Sequence, residues 1–197
     1  LCMNQNRPVL TDPEALEALA HPVRLDVLNY LMSNGPATAS VCARAVGDTP
    51  SNCSYHLRIL ARHDLVEPGP EEADGRKRPW RARVTGFTIP KSGSEPGTRQ
   101  ARGEAALMAA ALQLDQRGVR EYLTHRDRAP DHWREVDAYA TYTLRVTPQE
   151  LGALVGRLDE LIRPLIAAIR QDDAAGAELV NLGLYAFPRL EGPWARS

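Results

Sequence analysis

The sequence has few cysteines and no long apolar run, and each absence excludes a class of protein. Cysteine occurs three times in 197 residues, as Cys2, Cys42 and Cys53. Three cysteines without paired spacing argue against a disulfide framework and suit a reducing cytosol. No apolar stretch approaches the roughly 18 residues of a membrane helix, and no signal peptide is recognisable. We therefore expect a cytoplasmic protein without a membrane partner, with Met3 as a candidate natural start.

The sequence also lacks a strong net charge and any recognisable catalytic set. The net charge is −1, and residues 1–90 carry ten Lys/Arg against ten Asp/Glu, so any charge that attracts nucleic acid must be local. The five histidines are scattered, and no Ser-His-Asp arrangement, Cys-His arrangement or phosphate-binding glycine loop can be argued from the spacing. We expect a protein that is not an enzyme and has no cofactor. A hydrophobic content of 43% is enough for a core in one domain or two small ones.

Residues 48–63, DTPSNCSYHLRILARH, have the pattern of an amphipathic helix. Asp48 or Thr49 can cap it, and Pro50 suits the first helical position, where a missing N–H has no helical partner to lose. One apolar stripe follows at i, i+4, i+7 and i+8: Cys53, Leu57, Leu60 and Ala61. The outer residues that can hydrogen-bond base edges and phosphates are Ser51, Asn52, Ser54, Tyr55, Arg58 and Arg62. Most surface helices also have a polar face. The neighbouring elements of the chain therefore have to decide between a DNA-binding helix and an ordinary surface helix.

The preceding residues supply that context. A short helix begins after Asp12, with Leu16 and Leu19 on its apolar edge, and a second helix begins at Pro22 and stops at Asn34-Gly35. A third covers roughly residues 38–46, and its predicted inner residues are Val41, Cys42, Ala45 and Val46. Gly47 makes the tight turn into residues 48–63, which is helix-turn-helix spacing.

Two predicted strands, residues 65–68 and 80–89, follow the helix predicted at residues 48–63 and flank a charged loop. The loop is acidic in its first half and basic in its second, which contains Arg76, Lys77 and Arg78. Residues 76–102 hold eight Lys/Arg against one acid, Glu95. We predict a wing whose three basic residues contact DNA. The alternative for this run is a solvated charged hairpin.

After a linker at residues 91–97, the second half of the chain is predicted to contain a helix, a strand, a helix and a strand, in that order. A long helix is predicted over residues 98–125, with a short helical extension at 131–136. Strands are predicted at residues 139–146 and 179–187. Between them, Thr147 and Glu150 form a capping box before an apolar stripe that runs from residue 151 to 169 and is interrupted by Pro164. The two strands should be parallel, and the surplus apolar surface favours homodimerisation through this half.

Three segments together resemble the ArsR-type winged-helix transcriptional regulators: LEALAHPVRLDVLNYL, PSNCSYHLRILARHDLVE and GRKRPWRA. The resemblance covers about residues 10–90 and points to the larger subgroup with a C-terminal extension, not to the small metal sensors. It implies a homodimer that binds a palindromic operator, with a recognition helix in each major groove and repression as the commoner mode. It also implies that an effector of unspecified identity shifts DNA affinity.

The resemblance does not extend to the family's metal sites. Thr38 and Ser40 occupy the positions of the paired cysteines in arsenic and cadmium sensors, and neither replaces a thiolate. Asp115 and His125 do not reproduce the spacing of the zinc sensors. Cys42 and Cys53 fall at inward positions, where a cysteine behaves as a small hydrophobic residue. We expect no metal site. His56 is interpreted as a packing and hydrogen-bonding residue or a phosphate contact, and Trp80 as a packing residue.

The predicted fold class is α+β and mostly helical, with a winged helix-turn-helix over residues 10–90 and a C-terminal α/β dimerisation region over residues 98–190. The predicted function is that of a sequence-specific, homodimeric regulator that binds double-stranded DNA, with repression as the commoner mode that the resemblance implies. Two alternatives stay open. One is a winged-helix protein-interaction module that does not bind DNA, and the other is a small-molecule-binding or enzymatic C-terminal domain with the winged helix as an appendage.

Overall fold

A computed structural model describes residues 9–69, 78–88, 95–166 and 175–188. Four helices open the chain: α1 at Pro13–Leu19, α2 at Pro22–Asn34, α3 at Ala39–Val46 and α4 at Pro50–Arg62. Two short strands follow, β1 at Val66–Pro68 and β2 at Trp80–Ala82. The remaining helices are α5 at Arg99–His125, α6 at Asp131–Arg134 and α7 at Pro148–Ile162, with 3-10 turns at Arg126–Arg128 and Arg163–Leu165.

Helix starts are set by the residues that the sequence indicates. Asp12 accepts a hydrogen bond from the Glu14 backbone N–H, and Thr38, Thr49 and Thr98 cap α3, α4 and α5 in the same way. Thr147 and Glu150 form the predicted capping box of α7. Each cap satisfies backbone N–H groups that have no partner inside the helix. The predicted starts of α1 to α5 and the predicted ends of α2 to α5 are confirmed to within about two residues.

The inner side of α3 differs from the prediction at one position. Cys42 and Ala43 are buried, Val41 and Val46 are half-buried, and Ala45 is exposed. Helix α3 is short and packs on both α2 and α4. Its buried side therefore includes Ala43 and leaves out Ala45, which the periodicity had placed inside.

Strands β1 and β2 pair antiparallel, with Val66 opposite Ala82 and Pro68 opposite Trp80. A bridge between Ala37 and Trp80 connects this pair to the turn before α3. The second strand is shorter than the predicted residues 80–89. It leaves the ladder after Ala82, because β1 is only three residues long, and Thr88 instead bridges Val9. Ile89 lies outside the described residues.

One hydrophobic core joins α1–α4, the strands and the first half of α5. Its fully buried large side chains include Leu16, Leu19, Leu28, Leu57, Leu60, Leu65 and Leu107. Helix α5 approaches α1 so closely that a Cβ on Gly103 would lie 3.0 Å from the Leu16 Cβ. Ion pairs of Arg99 with Glu17 and of Arg117 with Asp26 hold α5 along α1 and α2. The start of α5 therefore packs as part of the N-terminal core.

The chain after Ala110 has a different character, because none of its described residues is buried. Helix α7 has its predicted stripe, but Leu154 and Leu161 are exposed, and Pro164 ends the helix in a 3-10 turn as expected. Residues 167–169 of the predicted stripe lie outside the described residues. Within the described ranges, every helix is too short or too polar to cross a lipid bilayer.

The two predicted C-terminal strands are wrong as regular structure. Residues 139–146 and 177–188 pair with no strand in the described part of the chain, and their side chains are exposed. The alternating pattern at residues 139–146 is present in the sequence, but an isolated strand has no ladder to satisfy its backbone groups. Residues 177–188 instead contact α5, because the Tyr185 hydroxyl donates a hydrogen bond to Asp115 of that helix.

Candidate nucleic-acid interface

Helix α4 is presented by a tight turn from α3. Gly47 adopts a left-handed conformation with φ of 70°, and the Asp48 backbone N–H returns to the Ala43 carbonyl at 2.9 Å. Glycine suits this position because it has no Cβ to clash at positive φ. The Thr49 hydroxyl accepts the Asn52 backbone N–H at 3.2 Å, and Pro50 occupies the first helical position. The local sequence therefore sets both the turn and the direction of α4.

The two faces of α4 separate as the periodicity predicts. Cys53, Leu57 and Leu60 are fully buried, and Ala61 is half-buried against the same core. The exposed predicted contact residues are Ser51, Asn52, Tyr55, Arg58 and Arg62, while Ser54 is half-buried at the edge of this face. Tyr55 is 58% exposed, although its ring also contacts His56, with the two ring centroids 5.5 Å apart. Such exposure is unusual for a large aromatic side chain. The five exposed residues form one continuous surface, hereafter the α4 outer face.

Asp48, one of the two residues expected to cap α4, holds one residue of the α4 outer face in place. The Asn52 Nδ2 donates a hydrogen bond to the Asp48 Oδ2 at 2.7 Å, and the Asp48 Oδ1 accepts the Thr49 backbone N–H at 2.7 Å. Thr49 is therefore the cap, and Asp48 orients the neighbouring amide.

His56 lies beneath the α4 outer face and packs against His21 of the α1–α2 junction. Only 3% of His56 is exposed, and the two ring centroids are 4.7 Å apart. Desolvation lowers the pKa of both imidazoles, and Asp48 opposes this shift. Among the described residues, neither ring nitrogen of His56 has a hydrogen-bond partner. The packing interpretation of His56 is confirmed, but the hydrogen bond expected with it is not formed among the described residues. Burial makes the phosphate-contact interpretation wrong.

Arg24 lies beside His21 and His56, and the three residues form a cluster beneath the α4 outer face. Arg24 was not identified from the sequence. Its guanidinium donates to the Ala18 carbonyl and, at 3.4 Å, to the Glu17 carbonyl. These carbonyls lie at the C-terminal end of α1, where a cation is favoured. Burial lowers the pKa of Arg24, and Tyr55 opposes that shift electrostatically. The sequence signal for a special role of Arg24 was its position in the first turn of α2. The helix dipole disfavours a cation there unless another group binds it.

The wing bears fewer unpaired charges than the basic run suggested. Arg81 donates to Glu67 at 2.7 Å, and Arg83 pairs with Asp64. Arg78 is exposed, and its Nε donates to the Gly69 carbonyl at 3.0 Å across the base of the loop. Arg76 and Lys77 lie outside the described residues, so their assignment as DNA contacts stays a prediction. Trp80 packs against the core, as expected.

The two described cysteines are buried thiols in the helix-turn-helix core. Burial raises the pKa of Cys42, and burial together with Asp48 and Cys42 raises the pKa of Cys53 to about 11. Both are therefore protonated at neutral pH, a state that disfavours metal ligation and nucleophilic chemistry. The described ranges contain no group of three metal-ligating side chains. Cys2 lies outside them.

Comparison with known families agrees with this geometry over part of the chain. A family model described as a helix-turn-helix domain matches residues 19–68, which run from the end of α1 to the end of β1. No curated protein matches the chain. The match includes the α3 turn, all of α4 and the cluster of His21, Arg24 and His56 beneath it. Residues 19–68 are a helix-turn-helix domain, the class of domain that binds DNA through its second helix.

Proposed function

We propose that this protein is a sequence-specific transcriptional regulator that binds double-stranded DNA through the α4 outer face. The observation that carries the proposal is the exposure of Asn52, Tyr55 and Arg58 together on the second helix of a helix-turn-helix. Amide and guanidinium groups discriminate base edges in the major groove, and arginines also bind phosphate. In this proposal the protein acts by binding and not by catalysis.

Local charge supports DNA over a protein partner. From α3 to the end of α4, three arginines (Arg44, Arg58 and Arg62) are exposed, against one acid, Asp48, whose side chain is only 17% exposed. The balanced charge of residues 1–90 therefore hides a positive surface on this side of the domain. Positive charge on the recognition side lowers the free energy of the complex with phosphate.

The same proposal includes a homodimer. One recognition helix covers only a few base pairs, so helix-turn-helix proteins commonly pair two of them about one DNA turn apart. The chain after Ala110 leaves many large apolar side chains exposed, among them Leu112, Val119, Leu123, Tyr139 and Leu161. A surface of this kind is typical of an interface. A second copy of the chain supplies a matching surface by two-fold symmetry, which predicts a palindromic operator. Repression and membership of the ArsR-type family remain part of this proposal.

Selection from a randomised double-stranded DNA library tests the proposal. The full chain should enrich a palindromic motif, and footprinting on genomic DNA should locate protected copies of that motif near promoters. The loss-of-binding variant is Arg58→Ala together with Arg62→Ala, which should abolish enrichment without unfolding the domain. If the full chain enriches no sequence, the winged-helix protein-interaction module becomes the better account.

A further inference from the structure

Asp48 is held in one position by both of its carboxylate oxygens. Oδ1 accepts the backbone N–H of Thr49, and Oδ2 accepts the side-chain amide of Asn52, each at 2.7 Å. The Asp48 backbone is fixed as well, because its N–H donates to the Ala43 carbonyl at 2.9 Å. The side chain is 17% exposed. Such a group has few rotamers left to sample, so it can impose its geometry on the amide it binds.

The hydrogen bond determines which way the amide of Asn52 points. With Nδ2 toward Asp48, an N–H faces a carboxylate oxygen. The reverse orientation would place the amide oxygen against that same oxygen, with no proton between two acceptors. Asp48 therefore leaves the amide oxygen and one N–H of Asn52 available on the exposed side.

The neighbouring imidazole does not compete for the carboxylate. His56 Nε2 lies 4.0 Å from the Asp48 Oδ2, beyond hydrogen-bond range. Burial and the nearby Arg24 and His21 lower the pKa of His56, which keeps the ring neutral near pH 7. The carboxylate oxygen therefore remains with Asn52 and does not form an ion pair below the helix.

We infer that Asp48 is a positioning residue that sets the base preference of this protein by presenting the Asn52 amide to adenine. An amide oxygen beside an N–H matches the N6 donor and N7 acceptor of adenine in the major groove. The inference rests on the proposed function, since it assigns a base to one residue of the α4 outer face. A good bidentate contact of this type discriminates against the wrong base by roughly 5- to 150-fold.

Asp48 also has a second, opposite effect. Its negative charge lies at the N-terminal end of α4, the end that approaches the DNA in this motif. The charge repels phosphate and opposes binding to every sequence. Removing it should therefore reduce discrimination at one base pair while raising affinity for random DNA, a combination that simple loss of folding cannot produce.

The test is library selection with the full chain and five variants, followed by titration of duplexes that differ at one base pair. Asp48→Ala should reduce the adenine preference at one position of each half-site to near equality, as Asn52→Ala does. The double variant should lose no more than either single variant, because the two residues act through one contact. Asp48→Asn retains an acceptor oxygen without the charge, so it should keep the preference and still bind random DNA more tightly.

Asp127→Ala is the matched control. It makes the same charge change at an exposed residue of the 3-10 turn after α5, outside the helix-turn-helix, and should leave the selected motif unchanged. Equal base frequencies for the wild type and Asp48→Ala at every position would overturn the inference and leave the proposed function intact. Independent, additive losses from Asp48→Ala and Asn52→Ala would overturn it too. A wild-type chain that selects no motif refutes the proposed function itself.

Discussion

At the scale of single residues, the contact between the half-buried His21 and the buried His56 links folding to pH. His21 and His56 both have a pKa lowered from the usual 6.5, chiefly by desolvation. The unfolded chain therefore binds more protons than the native chain as the pH falls below about 6.5. Their contribution to stability is complete above that value and is lost as the pH falls through the lowered pKa values.

We predict that the free energy of unfolding is higher at pH 7.5 than at pH 5, measured by urea titration. His56→Phe keeps a ring of similar size and removes one titrating group. It should flatten this dependence, by up to about 1.4 kcal/mol per pH unit over the window where the native and unfolded protonation differ. His132→Phe, at an exposed position on α6, is the matched control and should leave the slope unchanged. Equal slopes for the wild type and His56→Phe would contradict the assignment.

At the scale of elements, the first half of α5 packs against α1 and α2 and forms part of the N-terminal core. Leu107 is fully buried, and Gly103 permits the close approach to Leu16. We predict that Gly103→Val lowers the free energy of unfolding by about 1–3 kcal/mol, since the added methyl groups meet Leu16 without room to relax. Urea denaturation followed by circular dichroism measures this loss.

The control for that substitution is Gly156→Val in α7, where, apart from the adjacent backbone of the same helix, no atom of the described residues lies within 4 Å of an added Cβ. It makes the same residue change in a helix without contacting the core, so the helix-turn-helix should keep its stability. If the two variants behave alike, the loss at Gly103 reflects helix propensity and not the α1–α5 contact.

The wing is the other element with a distinct expected role. We predict that Arg76→Ala together with Lys77→Ala weakens binding to any duplex and flattens the plot of log K against log salt by about 0.9 per lost phosphate contact. Arg81→Ala is a useful comparison, because that guanidinium pairs with Glu67 and should contribute less to the slope. An unchanged slope for the double variant would place the wing away from DNA.

At the scale of the whole molecule, the contrast between the two halves predicts assembly. Residues up to Ala110 share one core, whereas the described chain beyond it buries no residue and exposes aromatic and aliphatic side chains. We predict that the full chain sediments as a homodimer at micromolar concentration without DNA. A fragment ending at residue 115, which retains Leu107 and Leu114, should be a monomer that binds DNA far more weakly.

Circular dichroism of that fragment provides the control, because it must retain the helices of the N-terminal core for the comparison to count. Analytical ultracentrifugation of both forms gives the result. A monomeric full chain, or a fragment that dimerises as well as the full chain, would contradict an interface formed by the chain after Ala110.

The amino-acid sequence by itself determined the local features of this protein. The proline and threonine positions predicted the starts of α1–α5 and α7, and the apolar spacing predicted the buried side of α4. Gly47 predicted the turn that makes the helix-turn-helix. These succeed because caps, turns and amphipathic stripes depend on residues within about one or two helical turns of each other.

Only the tertiary structure decided which side chains from distant positions meet. The ring contact of His21 with His56 and the contact of Gly103 with Leu16 join residues far apart in the chain, and no periodicity encodes them. The pairing of Asn52 with Asp48 is local, but it depends on the backbone of the turn, which the sequence pattern did not specify. The strands expected at residues 139–146 and 179–187 failed for a related reason. An alternating pattern gives the propensity for a strand, whereas a ladder also requires a partner strand at hydrogen-bonding distance.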